Sequence, residues 1–160
     1  MRIGSDFFAR TAPQVARDLV GNRLVRNIDD RKIEVVITEV MAHEGGTPIQ
    51  ARAGMEYAPG KIFLMPYRGR LFLNIATDAA GIASCVFIRT GIDITDPDNP
   101  VVLDGPAKLT KHLCIGAKMD GDSLNASLHV EAAFVDPKLV SAGPCGTAEN
   151  CVGCYRYRCT

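Results

Sequence analysis

The sequence predicts an α+β fold: a single domain, 1–160, built on a curved, mainly antiparallel sheet with helices at its flanks. Three observations carry this. Short stretches of alternating apolar and polar residues follow one another from Arg23 to Val135. Helical stripes stand near the start and again after Pro106. The chain has 160 residues, 47% of them hydrophobic, enough for one substantial core. Neither an internal repeat nor a linker divides it.

The elements follow in order. Phe7 and Phe8 form an apolar plug. Thr11 with Gln14 makes a capping box, Pro13 suits a first helical turn, Val15, Ala16, Leu19 and Val20 form the buried stripe, and Gly21 stops the helix. Arg23 to Arg26 is a short strand, and a polar turn over Asn27 to Arg31 leads into a longer one, giving a hairpin. His43 to Pro59 is punctuated by Gly and Pro and reads as a loop, with a helical turn near Gln50 to Met55. Lys61 to Met65 is a strand closed by Pro66; Arg70 to Ala76 sets Leu71, Leu73 and Ile75 against Phe72 and Asn74; Ser84 to Thr90 puts Cys85, Phe87 and Arg89 on one face. Asp104 can cap a helix with Leu109, Leu113 and His112 facing inward before Gly116. Ser123 to Leu128 reads as a helical turn and His129 to Val135 as a strand.

The stretch Lys32 to Met41 carries the first sign of chemistry. At the strand period, Ile33, Val35, Ile37 and Glu39 share a face, so a carboxylate ends an otherwise apolar row. Such a group needs a partner, a proton or a wet cleft. The plain alternative is a strand that simply ends in solvent.

Composition limits the function classes. Lys plus Arg number 18 and Asp plus Glu 18, so the net charge is zero. A nucleic-acid role would need charge gathered on one face. No apolar run is long enough to cross a bilayer, and the polar start MRIGSDFFAR is no signal peptide, which favours the cytoplasm. Cys85 and Cys114 sit in apolar runs and read as small buried hydrophobes. Cys145, Cys151, Cys154 and Cys159 form a Cys-rich tail over 145–159. Their spacing is that of a four-thiolate site for structural zinc or an iron–sulfur cluster; two disulfides are the alternative, disfavoured in a reducing compartment.

Five stretches taken together resemble the alkyladenine (3-methyladenine, methylpurine) DNA glycosylase family: FFARTAPQVARDLVGNRLVR, IEVVITEV, PGKIFLMPYRGRLFLN, CVFIRTGID and LDGPAKLTKHLCIG. The resemblance implies a monomeric, intracellular repair enzyme, in the cytoplasm with the nucleoid or in the nucleus. Its partner would be double-stranded DNA containing damaged bases, and catalysis would need no cofactor. The damaged purine is flipped out of the stack, because its sugar carbon is unreachable inside the duplex. Glu39 matches the glutamate that activates the hydrolytic water, and Arg89 the arginine that helps hold it. A carboxylate fixed in a low-dielectric pocket both orients the water and offsets the positive charge that builds on the sugar. Tyr67 matches the wedge that fills the gap left by the base. Asn74 matches the asparagine that discriminates among purines at the pocket floor. Arg68 and Arg70 flank the wedge, and the helix start up to Lys108 offers further phosphate contacts.

The pocket departs from the family at three positions. Met41, Gln50 and Met65 align with the tyrosine, histidine and tyrosine that sandwich the base, with His43 lying near the histidine's place. Aromatic stacking is worth about 1–3 kcal/mol per base, whereas methionine packs a π face through its polarisable sulfur. The altered pocket leaves open a second reading, a lesion- or abasic-site-binding module without turnover. Gly146 and Tyr155–Arg156–Tyr157 match what remains of the family's closing strand.

Overall fold

A computed structural model describes residues 1–44, 57–133, 137–144 and 154–159. The sheet is organised by its two longest strands, β2 (Arg31–His43) and β5 (Cys85–Asp93), which lie side by side and antiparallel. Each changes its other neighbour part-way along. β2 pairs with β1 (Arg23–Ile28) over its first half, from Arg31 to Val36, and with β9 (Cys154–Cys159) over its second, from Glu39 to His43. β5 pairs with β4 (Arg70–Ala76) at Cys85, Val86 and Phe87, then with β6 (Val101–Leu103) from Gly91 to Asp93. β3 (Ile62–Tyr67) extends the sheet beyond β4, β7 (Leu128–Glu131) beyond β1, and β8 (Val140–Pro144) pairs with β9. All these pairings are antiparallel, as expected from the alternating stretches.

The helices cover one face of this sheet. α1 (Ser5–Phe8) is a single turn. α2 (Ala12–Leu19) opens with the capping box, Thr11 N–H donating to Gln14 Oε1 at 3.3 Å, and buries Val15, Ala16 and Leu19. α3 (Pro106–His112) contributes Leu109, with Leu113 just beyond its end. These side chains join Leu24, Ile33, Val35, Ile37, Val40, Ala42, Ile75, Val86 and Ile88 in one hydrophobic core. Met41 and Phe87 belong to a separate small cluster on the other face, with Phe72 packed against it.

The turns follow local chemistry. The β3–β4 hairpin reverses through Arg68 (φ 48°) and Gly69 (φ 76°), both in the left-handed region that a two-residue hairpin turn of this hand requires. At Gly91 a side chain has no room: a Cβ there would sit 2.4 Å from Val35 Cγ1 and 2.9 Å from the Val36 carbonyl.

Several expectations are corrected. β3 continues through Pro66 to Tyr67, because it is an edge strand on which a missing N–H costs no ladder bond. β5 runs on to Asp93, where β6 supplies a further partner. The N-cap of α3 is Gly105, and Asp104 instead pairs with Lys108 at 2.6 Å. Ser123 to Leu128 is not helical: a 3-10 turn lies earlier, at Ala117–Met119, and Leu128 already opens β7, which ends at Glu131. Cys85 is buried as expected, but Cys114 is exposed, since its φ of 49° at the end of α3 turns its side chain outward between buried Leu113 and Ile115. The helical turn expected near Gln50 to Met55 lies outside the described residues.

Candidate active site

The site forms where the two long strands switch partners. Ile37 pairs with Gly91, Glu39 with Thr90 and Val40 with Ile88, so Thr38 and Arg89 both drop out of the regular ladder. This irregularity changes the parity of β2. The core takes Ile33, Val35 and Ile37, then Val40 and Ala42. Glu39 therefore does not end the apolar row, as strict alternation would have it. It turns to the opposite face, where Met41 lies. Glu39 also sits at the fork of the sheet, after the last pair with β1 and at the first with β9, opposite Arg158.

Three guanidiniums converge on the carboxylate. Arg89 Nε lies 3.2 Å from Oε1, Arg156 Nε 3.5 Å from Oε1 and Arg158 Nε 3.6 Å from Oε2. The Glu39 side chain is 14% exposed. Arg89 also donates from Nη1 to Met41 Sδ at 3.3 Å and stands over the Phe87 ring, 5.7 Å from its centroid. Arg156 and Arg158 come from β9, where they face Met41 and Glu39, while Tyr157 between them enters the core.

A row of rings leads away from this cluster. His43 and Phe87 stack with centroids 6.3 Å apart, Phe87 and Phe72 at 5.3 Å, and Phe72 and Tyr67 at 5.5 Å. Arg68 caps the far end, 5.3 Å from the Tyr67 centroid. His43 is buried, and burial pushes its imidazole down to about 4, so it is neutral near pH 7. Asn74 is buried beside this row. Its Nδ2 donates to the Phe72 carbonyl at 3.2 Å, and its Oδ1 accepts from the Cys85 thiol at 3.4 Å.

The expected site residues are thus partly brought together. Glu39, Arg89 and Met41 meet directly, and Asn74 lies across the ladder from Phe87. Met65 stands across the ladder from Phe72 and packs with Phe63, Cys85 and Tyr57. Gln50 lies outside the described residues. Tyr67 projects at the hairpin tip, 44% exposed, with Arg68 and Arg70 exposed around it. A cavity of about 510 Å³ separates Tyr67, Arg68, Arg70 and Phe72 from the stretch Asp104 to Lys108.

Sequence reasoning missed Phe72, Phe87, Arg156 and Arg158. The signal was present: Phe72 shares a strand face with Asn74, Phe87 with Arg89, and the two arginines alternate in Tyr155–Arg156–Tyr157–Arg158.

Two cysteines of the expected four-thiolate set, Cys154 and Cys159, belong to the described residues. Cys145 and Cys151 lie outside the described residues. Cys154 and Cys159 open and close one extended strand. Cys159 is a free, exposed thiol, and among the described residues no His, Cys, Asp and Glu group has a metal-binding arrangement.

A carboxylate held by guanidiniums thus stands at the fork of this antiparallel sheet, beside a row of rings and a projecting tyrosine. The chain belongs to the methylpurine-DNA glycosylase (MPG) family, whose model matches residues 6–158. A protein of Synechococcus elongatus, provisionally named a 3-methyladenine DNA glycosylase, is 33% identical over 138 residues, covering 78% of this chain and 70% of its own. A counterpart of the same name in Lactiplantibacillus plantarum is 28% identical over 155 residues, covering 84% and 74%. Another, from Chlorobium phaeobacteroides, is 28% identical over 149 residues, covering 77% and 75%. Among the described residues no helix is long and apolar enough to cross a membrane.

Proposed function

We propose that this chain removes alkylated purines from duplex DNA as a monofunctional glycosylase, hydrolysing the N-glycosidic bond with a water activated by Glu39. The observation that carries the reading is the anchoring of Glu39 by Arg89, Arg156 and Arg158 at 3.2, 3.5 and 3.6 Å, on the sheet face opposite the core. A carboxylate so held loses little freedom when the substrate arrives, which is the condition for efficient transition-state stabilisation. Base departure builds positive charge on the sugar. Glu39 offsets that charge, accepts a proton from the attacking water and directs the oxygen at the sugar carbon, while Arg89 holds the carboxylate in place.

The remaining residues fit around that step. Tyr67, at the tip of a tight hairpin, takes the place of the extruded base in the stack. Arg68 and Arg70 meet phosphates beside it, joined by Lys108 once it leaves Asp104. Phe87, Phe72 and Met41 supply the apolar faces for the base, and Asn74, with its amide orientation fixed by Cys85 and the Phe72 carbonyl, tests its edge. The reaction consumes water and needs neither metal nor cofactor.

The test is base release from methylated duplex DNA. Glu39→Gln should lower the single-turnover rate by at least about 10²-fold, the scale of a lost general base. Binding to a duplex with an abasic-site analogue should persist. Undiminished release by the variant rejects the assignment, and binding without release by the wild type selects the module that has lost turnover.

A further inference from the structure

The charge around Glu39 is uneven, and this points to a residue that meets the DNA. Among the described residues, neither Arg89 nor Arg158 has a carboxylate partner other than Glu39. Two guanidiniums on one carboxylate leave an excess positive charge, before Arg156 is counted. Elsewhere on the sheet the charges balance: Glu34 of β2 and Glu131 of β7 are matched by Arg23 of β1 and Lys32 of β2. At a site where the sugar itself must become cationic, a standing positive excess opposes the reaction. An anion supplied with the substrate would remove it.

Arg158 is placed to receive that anion. Its side chain is 57% exposed, against 26% for Arg89 and 20% for Arg156. It makes the longest of the three contacts, 3.6 Å to Oε2, where Arg89 and Arg156 meet Oε1. Among the described residues its Nη donors find no hydrogen-bond acceptor, although a guanidinium carries five N–H groups suited to paired oxygens. It stands directly across the ladder from Glu39.

Resting on the glycosylase reading, we propose that Arg158 anchors a backbone phosphate next to the extruded nucleotide, pairing with Glu39 Oε2 in the free protein and passing to the phosphate in the complex. The transfer leaves Glu39 to Arg89 and Arg156, frees Oε2 for the water, and cancels the excess charge before the sugar becomes cationic. No covalent step is involved.

The experiment measures the affinity of the full chain for a duplex carrying a tetrahydrofuran abasic-site analogue, from 50 to 200 mM salt, beside single-turnover base release at saturating methylated DNA. A single phosphate contact steepens the slope of log affinity against log salt by about 0.9. Over that fourfold range the wild type should lose about 3.5-fold more affinity than Arg158→Ala. Arg158→Lys should restore the wild-type slope, and Arg17→Ala, on the helix across the sheet, should leave it unchanged. The Arg158→Ala defect should fall on binding and KM, with release at saturation nearly intact. An unchanged slope overturns the proposal, whether release falls, as for a mere brace of Glu39, or stays the same. Circular dichroism confirms that each variant is folded. Failure of the wild type to release any base overturns the glycosylase reading instead, and the two failures are read in separate arms.

Discussion

Two glutamates on β2, five residues apart, meet arginines in different ways. Glu34 lies on the regular half of the strand, 2.8 Å from Lys32 and 3.7 Å from Arg23, and Arg23 also reaches Glu131 at 3.4 Å. Glu39 lies at the fork and gathers Arg89, Arg156 and Arg158. In the first group charges cancel on a plain sheet surface; in the second cations exceed anions beside a row of aromatic rings. An ion pair by itself therefore does not mark a site in this protein. Charge imbalance and a break in the strand ladder set Glu39 apart.

The largest expected difference between the two is catalytic. Glu39→Gln should cost about 10²-fold or more in base release, whereas Glu34→Gln should change it less than about twofold, the effect of a surface charge remote from the chemistry. Equal losses in a single-turnover assay would erase the distinction.

The second effect concerns the end of the strand beyond Glu39. His43 is neutral in the folded chain, its imidazole pushed by burial from about 6.5 down to about 4. The unfolded chain binds that proton more readily, so the associated stability is fully present above pH 6.5 and is lost as pH falls from there towards 4. A shift of this size corresponds to about 3 kcal/mol. Urea unfolding of wild type and His43→Gln at pH 7 and pH 4.5 should show a steeper acid loss for the wild type. Parallel losses would mean that His43 does not titrate as its burial requires.

The third effect probes the ladder break. Gly91→Ala would drive a methyl group against Val35 and the Val36 carbonyl. Overpacking of this kind costs about 1–3 kcal/mol, which in a chain of this length lowers the melting temperature by about 2–4 °C per kcal/mol. An unchanged melting temperature would show that the strands yield freely at the fork. The smallest effect is the coupling of Arg23 with Glu34 in a double-mutant cycle, expected below about 1 kcal/mol for a partly exposed pair.

Much of the fold was legible because it is local. The Thr11–Gln14 capping box, the alternation in Arg70 to Ala76 and the hairpin turn within Asn27 to Arg31 are written over a few residues each. Elements that depend on distant partners were not legible. β6 and β8 are short strands that exist through pairing with β5 and β9, and β3 passes through Pro66 because of its place at the edge. Cys114 looked buried because its neighbours are; a single left-handed residue at the end of α3 reversed it.

For the site, the sequence alone determined the chemistry available: one carboxylate within an apolar strand, an arginine on another, a tyrosine beside Arg68 and alternating arginines in the last stretch. Tertiary structure decided which of these meet. The paired irregularity at Thr38 and Arg89 turns Glu39 away from the core, and β9 arrives from more than a hundred residues away to lay Arg156 and Arg158 against it. Strand period is a property of neighbouring residues and can be read along the chain; where the ladder slips, and which strand fills the fork, are set by packing and hydrogen bonds between segments that the sequence keeps far apart.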